Sequence, residues 1–157
     1  MGEPQGLVAS GYDSFYASWG DSPTLRAIWP EHVTGSDFPE RFAHISFLRL
    51  AELASLRDAL DLAAGSVFAN LACDAGGTGL WVAQQAGADL IEIDLSATAV
   101  QRAGERVAAL GLTGRATFRQ GTFEATGFED GAIDAAMSVD AIQYAQTSWL
   151  RSARLLA

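Results

Sequence analysis

The chain has 157 residues, of which 49% are hydrophobic and 18% are charged, so its composition suits one domain with one core and excludes a disordered tail. Its formal net charge of -9 argues against a nucleic-acid ligand, because an acidic surface repels phosphates. The single cysteine, Cys73, excludes an internal disulfide, and the sequence shows neither a metal-ligand cluster nor an apolar run of membrane-spanning length.

The first 64 residues carry a helical pattern and are rich in aromatic side chains. Ser22 followed by Pro23 is typical of a helix start and predicts a short helix that ends at Trp29. Apolar residues then recur at helical spacing from Phe38 to Leu60, which predicts a longer second helix.

From Gly65 onward, short apolar runs alternate with amphipathic segments, the pattern of parallel βαβ units. Right-handed crossovers between such units predict an α/β fold whose parallel sheet has the strand order 3-2-1-4 and binds ligands at its carboxyl edge. The strands are predicted at 67–72, 90–93, 116–119 and 133–139, and the helices at 79–85, 96–111 and 148–157.

A glycine-rich turn joins the first predicted strand to its helix in the segment VFANLACDAGGTGLWVA, residues 67–83. Such a turn lets the backbone approach a ligand closely, and the helix start offers free N–H groups. Asp94 ends the next strand, where a carboxylate can accept hydrogen bonds from ribose hydroxyls. Nucleotide-binding domains of several classes share this combination, but the glycines do not spell the G-x-G-x-x-G pattern of a nicotinamide-dependent oxidoreductase.

Three further segments help to distinguish between the classes of nucleotide-binding domain. They are IEIDLSATAV at 91–100, FRQGTFEATGFEDGAIDAAMSVDAIQY at 118–144 and SWLRSARLLA at the end. Together with the glycine turn they resemble small-molecule methyltransferases of class I, which depend on S-adenosylmethionine. The resemblance covers residues 65–157, and YDSFY at 12–16 is a weaker match. It implies a Rossmann-like methyltransferase fold, S-adenosylmethionine as cofactor and methyl transfer to a small organic acceptor. Residues 1–64 would form a helical cap near the substrate, and residues 65–157 an incomplete cofactor-binding domain.

The resemblance also implies roles for matching positions. Asp94 would bind the ribose hydroxyls, Leu95 would pack on the adenine, and Gly76 and Gly77 would lie against the methionine part. The other implied cofactor contacts are Ala72, Thr122, Phe123, Ser138 and Val139, and the implied substrate contacts are Tyr12, Tyr16, Gln143 and Tyr144. For Leu95, Phe123 and Val139 a place in the core is the alternative, and for Tyr12 and Tyr16 it is helix packing.

No particular catalytic residue is required, since methyl transfer from a sulfonium depends mainly on alignment. A base is needed only where the nucleophile is protonated, and His32, His44 and Tyr144 are the candidates. His44 stands among apolar residues, so a buried structural histidine is the alternative interpretation.

The glycine turn departs from the family pattern at three positions. Asn70 replaces the family's acid, and Ala72 and Asp74 replace two glycines. If Asp74 has a positive φ, its side chain costs about 1 kcal/mol, and its charge would repel the cofactor's carboxylate. We therefore expect weakened cofactor binding, which Asp74→Gly should restore. A non-catalytic methyltransferase-like binding or assembly module is the alternative function.

The sequence contains four of the family's seven strands, which predicts an unpaired edge at strand four. We expect that edge to be buried in a homodimer through residues 133–157. All ten basic residues are arginine, a bias typical of GC-rich bacterial genomes, and no secretory signal begins the sequence. We therefore expect a bacterial, cytoplasmic protein that binds a small molecule and no metal.

Overall fold

The structure is a computed structural model, and it describes residues 3–19 and 21–145. Its first part is helical: α1 (Glu3–Trp19), α2 (Pro23–Trp29) and α3 (Leu50–Ala59). Ser22 caps α2 as predicted, with its hydroxyl accepting the Leu25 N–H at 3.3 Å. None of the described helices is both long and apolar enough to cross a membrane.

The predicted helix from Phe38 to Leu60 is wrong over its first half. Glu40–Phe42 is a single 3₁₀ turn, and residues 43–49, which we name the strap, have no regular structure. Ala43 has φ of -46° and ψ of 136°, so the backbone leaves the helical path there. The strap's N–H groups at Ile45 and Phe47 bond carboxylates of distant residues, which replaces the helical hydrogen bonds.

The second part is a four-stranded parallel sheet in the order β3-β2-β1-β4, as predicted. Its elements follow the expected alternation, with strands and helices whose ends differ from the predicted ones by a few residues. In chain order they are β1 (Val67–Leu71), α4 (Gly77–Ala86), β2 (Asp89–Asp94), α5 (Ala97–Arg106), β3 (Ala116–Gln120) and β4 (Ala135–Met137).

The fourth strand is shorter than predicted, three residues in place of 133–139. It pairs with β1 only over Phe68 to Asn70. The Val67 N–H donates to the Asp134 carboxylate at 2.8 Å, which fixes the register at the start of the pair. The predicted helix at 148–157 lies outside the described residues.

The main core fills the side of the sheet covered by α3, α4 and the 3₁₀ turn. Its fully buried members include Phe42, Leu53, Phe68, Leu80, Leu90 and Leu112. A smaller cluster of Ala69, Leu71 and Ile93 lies on the other face, against Phe123, Phe128 and Ile133. Ser96 caps α5 by accepting the Ala99 N–H at 3.1 Å, as the sequence predicts.

Candidate functional site

A cavity of about 520 Å³ opens at the carboxyl edge of the sheet, where the loops after all four strands meet. The strand ends supply its floor, while α1 and the strap supply its other walls. Of the predicted site residues, those that line the cavity are Ala72, Asp94, Leu95, Thr122, Phe123, Val139, Tyr12, Tyr16 and Tyr144. The structure thus brings together in one cavity nine predicted residues whose positions in the chain range from 12 to 144.

The loop after β1 carries two strained residues where the family pattern has glycine. Ala72 has φ of 57° and Asp74 has φ of 59°, and a side chain in this left-handed region costs about 1 kcal/mol or more. Two backbone bonds hold the loop: the Cys73 N–H donates to the Ile93 carbonyl, and the Asp74 N–H to the Asp94 carboxylate, both at 3.0 Å. The loop is therefore fixed against the end of β2.

Asp94 is buried at the end of β2 and accepts two backbone hydrogen bonds, from Asp74 at 3.0 Å and from Ser96 at 2.8 Å. Burial raises the pKa of Asp94, although these two bonds act to lower it. A carboxylate has about four lone-pair sites, so Asp94 can accept further hydrogen bonds from a ligand in the cavity that it lines. A ribose hydroxyl is a suitable donor.

Asn70 stands where the family pattern has an acidic residue, and an acidic residue, Glu92, lies next to it on β2. Glu92 pairs with Asn70 in the sheet register and accepts a bond from its amide at 3.0 Å. Both side chains are fully buried, and burial raises the pKa of Glu92 to about 8. Neither lines the cavity, so this pair is not in a position to touch a ligand there. The polar residue inside the apolar run LIEID was the available signal in the sequence.

Two tyrosines of α1 reach the cavity from the side opposite the sheet. Tyr16 is buried, and this burial raises the pKa of its hydroxyl, as do the charges of Asp74 and Asp94. Tyr12 shares a side-chain hydrogen bond with Tyr144, and burial followed by this bond raises the pKa of Tyr12. The pair links α1 to the loop after β4 at the mouth of the cavity.

Four predicted contacts lie outside the lining. A Cβ added at Gly76 would lie 2.8 Å from the Cβ of Ala103, and Gly77 faces the strap. Ser138 has a buried hydroxyl with no hydrogen-bond partner among the described residues, and the Gln143 amide donates to the Asp140 carbonyl at 2.8 Å. The cofactor or substrate roles implied for these four residues remain predictions.

The two histidines also lie outside the lining. His32 is exposed, and its Nε2 is 3.8 Å from the Glu31 carboxylate. His44 is buried with its Nδ1 2.6 Å from the Ser46 hydroxyl. Burial, and then the charge of Arg106, lower the pKa of His44 to about 4, so its ring is neutral at pH 7. These surroundings agree with the structural interpretation of His44.

Several lining residues were not identified from the sequence. Ile45, Ser46 and Phe47 of the strap form one wall, and Asp140 lies beside them with φ of 55°. In the sequence, the apolar residues of the strap have helical spacing, which predicted a helix and did not indicate that they line a cavity. Among the described residues, no group of histidine, cysteine or carboxylate side chains is arranged to hold a metal ion.

The family model described as "Methyltransferase domain" matches residues 68–156. A methyltransferase from Thiobacillus denitrificans, in complex with S-adenosylhomocysteine, is 25% identical with a TM-score of 0.53 over 83% of this chain and 49% of that chain. A second one, from Geobacter sulfurreducens with the same ligand, is 25% identical with a TM-score of 0.50 over 78% and 45%.

A geranyl diphosphate methyltransferase in complex with GPP and sinefungin is also 25% identical, with a TM-score of 0.53 over 56% of this chain and 33% of that chain. The chain therefore spans less than half the length of these three structural relatives. The comparison with curated proteins finds no match.

Proposed function

The chain belongs to the class I S-adenosylmethionine-dependent methyltransferases, and from this premise we propose that its cavity binds S-adenosylmethionine and that the protein methylates a small organic acceptor. The cofactor supplies an electrophilic methyl group on a sulfonium. The chain's own part is to bind, orient and shield the reactants, since alignment contributes most to such a transfer.

The observation that carries the proposal is Asp94 at the end of β2, buried, held by two backbone N–H groups and facing the cavity. Its remaining lone pairs would accept the ribose hydroxyls, with Leu95 next to the adenine and Thr122 and Phe123 along its edge. The other proposed cofactor contacts are Ala72, Gly76, Gly77, Ser138 and Val139, and the proposed substrate contacts are Tyr12, Tyr16, Gln143 and Tyr144.

Calorimetry with S-adenosylmethionine and S-adenosylhomocysteine tests the proposal. Asp94→Ala should weaken binding of S-adenosylhomocysteine by about 1.5–3 kcal/mol, the range for hydrogen bonds to a charged group. The matched probe is the 2′-deoxy form of S-adenosylhomocysteine, which lacks one ribose hydroxyl. The unchanged protein should bind this probe more weakly than S-adenosylhomocysteine, and Asp94→Ala should weaken binding of the probe by little more. Equal losses with both ligands would show that Asp94 acts only on the loop, and no binding by the unchanged protein would reject the proposal.

The charges of the residues that line the cavity indicate which charge the methyl acceptor should have. Four carboxylates line it, Asp74, Asp94, Glu124 and Asp140, whereas none of its described lining residues is arginine, lysine or histidine. Such a wall attracts cations and repels polyanions such as geranyl diphosphate. We therefore propose a neutral or cationic acceptor, and methyl transfer to an amine or a neutral hydroxyl compound in preference to a phosphorylated one would support this choice.

We also propose that the cofactor binds with weakened affinity, which the strain at Ala72, where the family pattern has glycine, supports. The outer edge of β4 has no partner strand among the described residues, which supports a homodimer through residues 133–157. Residues 146–157 of that region, with Trp149, Leu150, Leu155 and Leu156, lie outside the described residues. Light scattering at micromolar concentration would detect the dimer, and a monomer would contradict it.

A further inference from the structure

Two carboxylates on neighbouring strand ends hold the strap over the cavity. The Ile45 N–H donates to the Asp74 carboxylate at 3.1 Å, and the Phe47 N–H donates to the Asp140 carboxylate at 2.7 Å. Asp74 follows β1 and Asp140 follows β4, and these two strands pair in the sheet. The two bonded N–H groups are two residues apart, so the two carboxylates hold the middle of the strap at two nearby points.

Both acceptors have a strained backbone. Asp74 has φ of 59° and Asp140 has φ of 55°, a region that favours glycine. Aspartate tolerates it better than most residues but still at a cost, which glycine would avoid. A side chain kept in such a conformation beside a ligand cavity points to a task for that side chain.

The glycine loop and the strap are also packed directly together. A Cβ on Gly77, the first residue of α4, would overlap the Phe42 carbonyl and come within 2.6 Å of the Ala43 carbonyl oxygen. The Arg106 guanidinium donates to the Ala75 carbonyl at 2.6 Å and to the Arg41 carbonyl at 2.8 Å. Besides the bond from Ile45 to Asp74, these two sets of contacts therefore join the loop after β1 to the 3₁₀ turn and to the start of the strap.

We propose that Asp74 and Asp140 are positioning residues that hold the strap as the wall of the cofactor cavity. Ile45, Ser46 and Phe47 line the cavity only while the strap stays in this place. A wall held in advance spares the ligand the entropic cost of ordering it. The effect on ligand affinity rests on the proposed function, whereas the hold on the strap does not.

Protonation supports the hold at Asp74. Burial raises the pKa of Asp74 to about 6, although the bonds from Ile45 and Ala75 act to lower it. Release of the strap would expose the carboxyl and return its pKa towards the ordinary value, so proton uptake favours the closed strap. The strap should be held most firmly below about pH 4 and less firmly as the pH rises from about 4 to 6. The other titratable or charged groups that interact with Asp74 are Asp94, Glu92 and Cys73 beside the sheet, Arg106 of α5 and Tyr16 of α1. His44 of the strap interacts with Arg106 and with Asp140.

The hold can be measured without a ligand from the amide resonances of the whole chain. The Ile45 amide proton should lie downfield and titrate with a midpoint near pH 6. Asp74→Asn keeps an oxygen acceptor, so the resonance should stay downfield without titrating. Asp74→Gly should move it upfield and speed its solvent exchange at least tenfold. Asp140→Gly should do the same to Phe47 and leave Ile45 unchanged.

Asp134→Asn is the matched control, since Asp134 also accepts a backbone N–H, from Val67, but far from the strap. It should leave the Ile45 amide unchanged. An Ile45 amide that neither titrates in the unchanged protein nor moves in Asp74→Gly would overturn the proposal.

The affinity of Asp74 variants for S-adenosylhomocysteine distinguishes two roles of Asp74: holding the strap in place, and repelling the carboxylate of the ligand. If Asp74 holds the wall, Asp74→Gly should bind this ligand at least fivefold more weakly, and Asp74→Asn within twofold of the unchanged protein. If Asp74 mainly repels the cofactor's carboxylate, both variants bind more tightly, and the positioning role is rejected. An intact Ile45 titration with no ligand binding at all would reject the proposed function and still support the hold on the strap.

Discussion

Asp13 shows how one residue fastens α1 to the sheet layer. Its carboxylate accepts bonds from the Ser96 hydroxyl and, at 3.0 Å, from the Thr98 N–H at the start of α5. An anion is favoured at a helix N-terminus, and the bond from Ser96, followed by that from Thr98, lowers the pKa of Asp13. Because α1 carries Tyr12 and Tyr16 into the cavity, Asp13 positions part of the site.

We expect Asp13→Ala to lower the free energy of unfolding by about 1 kcal/mol at pH 7, as for other lost helix caps. A carboxyl whose folded pKa is lowered stabilises the fold above its ordinary pKa, and this contribution is lost as the pH falls through the folded pKa. Urea unfolding should thus show a larger difference from the unchanged protein at pH 7 than at pH 3. Asp21→Ala, at an exposed position just beyond α1, is the control, and an equal loss there would refute the capping role.

Which site residues the sequence could reveal depended on whether their partners are near in the chain. Asp94 and Ser96 were predicted, because a strand end and a helix cap leave a local pattern. Asp13 bonds Ser96 across 83 positions and Asp140 bonds Phe47 across 93, so no local pattern marks either one. The fold has to be known before such pairs can be seen.

At the scale of elements, apolar spacing predicted the strands well and the strap wrongly. The strands have buried runs such as the one in β1, and their neighbours are set by simple crossover rules. In the segment from Phe38 to Arg49, the apolar residues pack in two different places: Phe42 is buried in the main core, whereas Ile45 and Phe47 line the cavity. Their combined spacing imitates the single face of a helix, and periodicity alone cannot separate the two cases.

The packing of the strap on α4 gives a prediction for Gly77→Ala. Alanine favours a helix over glycine by up to about 1 kcal/mol, but here its Cβ would meet two backbone carbonyls that cannot move independently. Overpacking of this kind costs about 1–3 kcal/mol, so the free energy of unfolding should fall. Gly104→Ala in α5 is the matched control, since its Cβ would lie 3.7 Å from Phe118, an ordinary contact, and should stabilise the fold. Thermal unfolding of both variants checks the pair, and a stabilised Gly77→Ala would contradict the packing described.

At the scale of the whole molecule, three acidic side chains lie close together where the fold buries them. The chain has a net charge of -9, and Asp74, Glu92 and Asp94 cluster around the end of β2. Burial raises the pKa of all three, to about 6 for Asp74 and about 8 for Glu92. A cation bound in the cavity would favour their ionised forms, so these carboxyl groups would favour the proposed sulfonium cofactor.

These raised pKa values predict that the protein becomes less stable as the pH rises from 5 to 8. An unfolded carboxyl loses its proton near pH 4, whereas the folded protein keeps that of Asp74 until about pH 6 and that of Glu92 until about pH 8. Between those values the folded state binds more protons, so the free energy of unfolding falls with pH, by at most about 1.4 kcal/mol per unit for each group.

Glu92→Gln isolates the contribution of the most buried of these groups. The amide is neutral at every pH and can still accept the bond from Asn70, so the decline between pH 6 and pH 8 should become shallower and the variant should exceed the unchanged protein in stability at pH 8. Glu105→Gln makes the same change of net charge at an exposed position of α5, so it separates the local effect from general charge repulsion. Urea unfolding at four pH values measures all three proteins. If Glu92→Gln declines as steeply as Glu105→Gln, Glu92 is ionised in the folded protein without cost, and its burial beside Asn70 does not govern the pH dependence.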